Sequence, residues 1–369
     1  MLRKWIEEEH CRPGLRRDPI SRFIRGFLRL ASLGYSVAVR TRSLMYRIGL
    51  LRAVRLPCGV ISVGNVTAGG TGKTPMVAWL VRRLVERSLR VAVLSRGYGR
   101  LPGGRGDDED FIERGMAGKA IRLTGKDRVA SGRRAIADFS PDVILLDDGF
   151  QHFRIARDAD ILMVDATNPF SNGALLPAGL LREPPQAMKR ADLIVLTRTD
   201  QVSPATLEGI RERIARLSGG KPVVESVHRA LRIRNCWNKR EHAPEWIRNK
   251  RVYAFCGIGN PQSFLRTLEP LGATVVKHRF FPDHYPYTPL DLHQLVAEAR
   301  EFMADMLITT EKDLRRFDPE GVDFAVASVI VGLEIVKGGE DMDEFVTKLL
   351  CDRVTTVEPR KPGTTPCRL

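Results

Sequence analysis

Aromatic residues are scarce in this 369-residue chain, at 7%. No apolar run reaches the ~20 residues of a helix that crosses a bilayer. Paired cysteines are missing too. None of Cys11, Cys58, Cys236, Cys256, Cys351 and Cys367 forms a C-x-x-C, and no histidine joins them at ligand spacing. That excludes zinc ribbons and dithiol redox chemistry and predicts reduced thiols in a cytosolic protein. The start, MLRKWIEEEH, places charges where a secretory signal needs an apolar stretch. There is no internal repeat. What is present is 43% hydrophobic content and a net charge of +15. The first suffices for a packed core, at a length that fits two domains. The second favours an anionic partner.

The charge is uneven. Between Arg12 and Arg55 eleven arginines, and no lysine, stand against one acid, Asp18. Ile20, Phe23, Ile24, Phe27, Leu28 and Ala31 recur at helical spacing, flanked by Arg22, Arg25 and Arg29. Leu44, Met45, Ile48 and Leu51 continue the pattern with Arg42, Arg47 and Arg52. Such a helix can lie in a headgroup plane with its arginines on anionic phosphates. It also suits ordinary packing, with the arginines merely solvated. A nucleic-acid arm lacks any RNP or zinc-finger element to support it, so no nucleic-acid partner is expected.

Val60–Val63 reads as a short β-branched strand, Gly64–Gly72 as a glycine-rich loop, and Lys73 onward as a helix with Met76, Val77, Leu80, Val81, Leu84 and Val85 on its apolar face. Strand, loop and helix form the context of a phosphate-binding loop. Loop amides from Gly64, Asn65, Thr67, Ala68, Gly69, Gly70, Thr71 and Gly72 close around phosphate oxygens, and the helix N-terminus favours their charge. Lys73 reaches the outer phosphates, and the Thr74 hydroxyl ligates Mg²⁺. Thr67 stands where the first glycine of G-x-x-x-x-G-K-[ST] belongs, with Gly64, Gly69 and Gly70 supplying freedom nearby. Pro75 suits a first helical turn.

A second strand, Val143–Leu146, ends in Asp147-Asp148-Gly149. In a parallel sheet such acids sit beside the nucleotide loop and can hold Mg²⁺. D-G is also a common turn pair. Thr197-Arg198-Thr199-Asp200 is similar to the guanine-reading N-K-x-D, but arginine replaces lysine and threonine replaces asparagine, so GTP is not inferred.

Strands at 60–63, 91–94, 143–146, 161–164 and 193–196 alternate with helices, the rhythm of a P-loop NTPase-like α/β parallel sheet flanked by helices. The expected organisation is a basic helical segment at 1–56, a core at 57–221, a connector at 222–250, a second smaller α/β lobe at 251–353 and a disordered tail at 354–369. The second lobe reads as a strand at 252–255, a helix near 261–269, a strand near 274–277, a helix near 289–304 and a strand at 306–309.

GNVTAGGTGKTP, SRGYGR, DDGFQH, LLPAGLLREP, GIGNPQSF, FPDHYPY and TTEKD run in order from Gly64 to Asp313, about two-thirds of the chain. Together they resemble the tetraacyldisaccharide 4′-kinase, or lipid A 4′-kinase, family. The resemblance implies ATP and Mg²⁺ as cofactors. It implies transfer to the 4′-hydroxyl of an acylated glucosamine disaccharide 1-phosphate, at the anionic cytoplasmic face of a bacterial inner membrane. It carries the P-loop roles onto Lys73 and Thr74, and a metal-side acidic pair onto Asp147 and Asp148. The family's proposed base, the aspartate of a G-D-E-P stretch, corresponds to Asp108 in Asp107-Asp108-Glu109-Asp110. The departures at Asp107 and Asp110 make Asp107 a competitor. His284 corresponds to the histidine proposed to support that base. Arg182 and Glu183 are candidates for binding acceptor or phosphate, or for a loop salt bridge. TTEKD has no role at this level. A MinD/ParA-like switch ATPase is the alternative; its extra lysine would fall at Ala68.

Overall fold

The computed structural model describes residues 19–97 and 118–354. Aliphatic runs without polar alternation make strands covered on both faces. The first six strands are β1 (Gly59–Asn65), β2 (Val91–Ser95), the half-exposed edge strand β3 (Ala120–Thr124), β4 (Val143–Asp147), β5 (Ala159–Asp165) and β6 (Leu193–Thr197). Of these, β2, β4, β5 and β6 are buried at every position. They lie parallel in the order β3-β2-β4-β1-β5-β6. The carboxyl end of β1 therefore opens between those of β4 and β5, where chain connections leave in opposite directions and ligands bind.

Two helices frame this half. One, α1, spans Pro19–Arg47; the other, α2 (Lys73–Glu86), follows β1. α2 buries Met76, Val77, Leu80, Val81 and Leu84 against Ile61, Val63, Leu145 and Ile161. A third, α3 (Arg128–Phe139), starts at Asp127, whose carboxylate accepts from the Val129 and Ala130 amides. α4 (Pro204–Ser218) starts at Ser203 with proline in its first turn.

The stretch expected as a connector, 222–250, holds regular structure. Its first half is a 13-residue strand, β7 (Val223–Asn235), parallel to β6 and paired with the two-residue β8 (Glu241–His242). The second half of the sheet contains β9 (Arg251–Cys256), β10 (Thr274–Phe280), β11 (Met306–Thr310) and β12 (Val326–Lys337). They continue the sheet from β7 in the order β12-β11-β9-β10. β12 runs antiparallel to β7, so one long two-stranded ribbon joins two otherwise parallel halves. Between these strands lie α5 (Pro261–Leu268), α6 (Pro289–Glu301) and the short α7 (Glu311–Leu314). The last described helix, α8 (Gly339–Val354), starts in the stretch expected to belong to the second lobe and ends at the first residue of the expected tail, and Met342 and Val346 pack with Met76 and Leu80 of the first half.

Candidate functional site

Gly64 and Asn65 end β1 rather than lie in the loop. A β-carbon at Gly64 would stand 2.6 Å from the Phe150 backbone nitrogen, so glycine here admits the turn after β4. Asn65 Nδ2 donates to Thr71 Oγ1 at 3.0 Å and ties the two ends of the loop together. Gly69 and Gly72 take left-handed backbone angles, φ 121° and 86°, open to glycine at little cost. Thr67 bridges to Leu181, and the Ala68 amide donates to the Leu180 carbonyl at 2.6 Å. The Arg182 amide donates to the Val66 carbonyl at 2.7 Å. LLPAGLLREP is thus the wall of the phosphate loop, a placement the sequence did not show.

Lys73 opens α2 and places Nζ 3.5 Å from Asp148 Oδ1. Burial pushes the ammonium below its ordinary value, and Asp148 works against that shift. Arg182 Nη1 donates to both oxygens of Asp148, at 2.7 and 2.8 Å. Burial raises the Asp148 carboxyl, but Lys73, Arg182 and Arg128 outweigh it and bring it down to about 2. Asp148 itself has φ 55°, held where Arg128 donates to its carbonyl at 3.0 Å. Asp147 accepts from Arg122 at 3.1 Å. Glu183 is buried, and accepts from both Arg190 and Gln151. Thr74 follows Lys73 in the first turn of α2. Two adjacent carboxylates and a hydroxyl are hard oxygen donors, the chemistry Mg²⁺ takes beside phosphate oxygens.

Arg198, at the lysine position of the N-K-x-D-like stretch, turns inward and pairs with Asp165. Asn260, from the second half, donates to Asp165 Oδ2 at 2.9 Å and to Thr167 Oγ1 at 2.8 Å. Beside this contact the two halves touch at the phosphate loop: a β-carbon on Gly259 would meet the Gly70 nitrogen at 2.6 Å. His284 belongs to the same loop cluster, because its amide donates to the Gly257 carbonyl at 3.1 Å. Its Nδ1 lies 3.3 Å from Arg316 Nη2 and its Nε2 lies 3.9 Å from Asp283. Lys73, Asp147, Asp148, Arg182 and Glu183 therefore gather on one side of the phosphate loop, and His284 joins from the other through Gly257 and Gly259. Asp107 and Asp108 lie outside the described residues.

A parallel sheet, a glycine loop entering a helix at Lys73 and an acidic strand end define a P-loop nucleotide-binding protein. A family model of tetraacyldisaccharide-1-P 4′-kinases matches residues 24–351. The chain is 38% identical to a tetraacyldisaccharide 4′-kinase of Syntrophus aciditrophicus, over 93% of this chain and 99% of the relative. One from Anaeromyxobacter dehalogenans is also 38% identical, over 90% and 91%. The crystal structure of LpxK from Aquifex aeolicus in complex with ATP aligns with a TM-score of 0.65 at 29% identity, covering 89% of this chain and 99% of that one. The chain belongs to the tetraacyldisaccharide 4′-kinase family. Its activity is therefore phosphoryl transfer, and the switch-ATPase reading is not favoured.

Proposed function

We propose that the chain transfers the γ-phosphate of ATP to the 4′-hydroxyl of a tetraacyldisaccharide 1-phosphate, with Mg²⁺, at the anionic cytoplasmic face of a bacterial inner membrane. The observation that carries this reading is the cluster of Lys73, Arg182 and Asp148 beside the loop entering α2. Phosphoryl transfer asks for positioning and charge neutralisation rather than covalent chemistry. Lys73 and Arg182 now share Asp148, and both can turn to phosphate oxygens as a triphosphate enters. Thr74, Asp147 and Asp148 would hold Mg²⁺, which when bound offsets charge on the phosphates. Asp108 accepts the sugar hydroxyl's proton, and His284 orients that carboxylate. Asp165, Thr167 and Asn260 hold the second half against the loop and so limit water at the transferring group.

α1 supports the membrane part. Phe23, Phe27, Leu30, Leu33, Val37, Leu44 and Ile48 are exposed on or next to it. Ile24, Leu28 and Ala31, expected on the same stripe, are half-covered by the protein instead. Exposed Arg22, Arg29, Arg40 and Arg47, seven or eleven residues apart, follow one edge of the helix. The opposite face is bonded to the site: Ser32 donates to the Leu175 carbonyl at 2.6 Å and Tyr35 to the Arg182 carbonyl at 3.0 Å. No helix among the described residues is long and apolar enough to cross a membrane. A surface helix with outward phenylalanines and an arginine edge fits an interface that holds the acceptor's acyl chains.

The test is ATP turnover in mixed micelles with and without the acylated disaccharide. The kinase reading expects turnover only with acceptor, and loss of transfer in Asp108→Ala. Equal turnover without acceptor would favour a switch ATPase, and full transfer in Asp108→Ala with loss in Asp107→Ala would move the base by one residue.

A further inference from the structure

The TTEKD stretch has a structural consequence at His284. Thr310 starts α7 and donates its hydroxyl to Asp313 Oδ2 at 2.6 Å. Asp313 is fully buried and also accepts from the Gly257 amide at 2.9 Å, the Tyr287 hydroxyl at 3.0 Å and Arg316 Nη1 at 3.0 Å. Arg316 Nη1 donates in addition to the Gly257 carbonyl at 2.8 Å. Nη1 is thereby held by two acceptors, and the other terminal nitrogen, Nη2, stands 3.3 Å from His284 Nδ1. His284 is fixed as well, by its amide on Gly257 and a left-handed backbone with φ 60°.

An arginine has five donors and no acceptor. Whatever faces it at hydrogen-bond distance must accept. We propose that Arg316 is a positioning residue that makes Nδ1 of His284 the acceptor and so sets the neutral imidazole as the Nε2–H tautomer. The opposite tautomer would set N–H against N–H. The ring then presents a donor at Nε2, away from Arg316. His284 can thus hold a carboxylate or a phosphate oxygen through Nε2–H, but cannot take a proton there while neutral. Asp313 is the anchor: its four donors come from three separate loops, and losing it would release Arg316, Gly257 and Tyr287 together. The tautomer stands on the geometry alone. Its value for catalysis rests on the role proposed above for His284.

The experiment is a two-bond ¹H–¹⁵N correlation spectrum of the full chain labelled with ¹⁵N-histidine, above the ordinary imidazole value of about 6.5. Among the seven histidines, the His284 signals are those lost in His284→Gln. The expected wild-type pattern is an unprotonated Nδ1 and a protonated Nε2. A protonated Nδ1, or rapid averaging of the two tautomers, overturns the proposal. In Arg316→Met the pattern is expected to shift toward Nδ1–H or averaging, with kcat falling about a hundredfold and the KM for ATP unchanged. An unaltered His284 pattern in a folded Arg316→Met also overturns it; should that variant not fold, the wild-type spectrum decides alone. Wild-type Nε2–H together with full activity in His284→Gln supports the tautomer and removes the catalytic reading instead.

Discussion

The two sides of the phosphate loop are built differently. On the first side charge is abundant and shared: Arg122 faces Asp147, Lys73 and Arg182 face Asp148, and Arg190 faces Glu183. Asp148 and Arg182 keep 20% and 27% of their side chains exposed. On the second side a single carboxylate organises the loops, with Asp313 at 0% and Arg316 at 6%. Partly exposed ion pairs are cheap to exchange, so the first side can trade Asp148 for phosphate as ligand arrives. A buried pair whose carboxylate accepts four hydrogen bonds is costly to break, so the second side is a scaffold that holds His284 still. One side is arranged to receive charge, the other to keep a ring in place.

Removing the scaffold carboxylate should therefore cost the most stability. Asp313→Ala takes the buried carboxylate away from the Arg316 guanidinium, a loss of about 3–5 kcal/mol. Denaturant unfolding would measure it, and a loss below about 1 kcal/mol would contradict the division drawn here. Next in size is the exposed face of α1, proposed above to meet lipid. Phe23→Glu with Phe27→Glu should weaken binding to anionic vesicles about 10–100-fold, since each phenylalanine gives up its burial in the interface. Flotation with vesicles reads this, and ATP affinity in detergent should stay unchanged. Equal flotation would show that the exposed face of α1 meets something other than lipid.

The smallest effect concerns the arginine-rich first side. Burial, followed by Arg128, Arg154 and Arg157, brings His152 down to about 4. A group lowered on folding takes up its proton in the unfolded chain first. Its contribution is thus present above about 6.5 and is lost as pH falls toward 4. The thermal midpoint should drop across that window, and less steeply in His152→Phe. A midpoint with the same slope in both proteins would remove His152 as a cause.

The first side was largely legible in the sequence. Val60–Val63, the glycine loop and Asp147-Asp148 are contiguous, and each carries its own chemical signal. The strands expected at 91–94, 143–146, 161–164 and 193–196 fall within β2, β4, β5 and β6. The ribbon of β7 and β12 was not legible. VVESVHRALRIRN mixes exposed arginines, Arg229 and Arg232, with a glutamate, Glu225, that is buried against Arg211, and its partner lies about 100 residues away. Asp313 was hidden for a related reason. Its donors come from positions 257, 287, 310 and 316, and only folding brings them together. For α1 the periodicity was sound, but spacing alone could not say which side the protein covers. Ser32 and Tyr35, small polar signals, decide it.

The central claim is that Lys73, at the start of α2, grips a triphosphate whose terminal group passes to a lipid-borne sugar. Following ³²P from γ-labelled ATP into the acylated disaccharide 1-phosphate, in wild type and in Lys73→Ala, tests it most directly. Labelled lipid from the wild type and a fall of about a thousandfold in the variant are predicted. Unchanged labelling by a folded Lys73→Ala protein would contradict it.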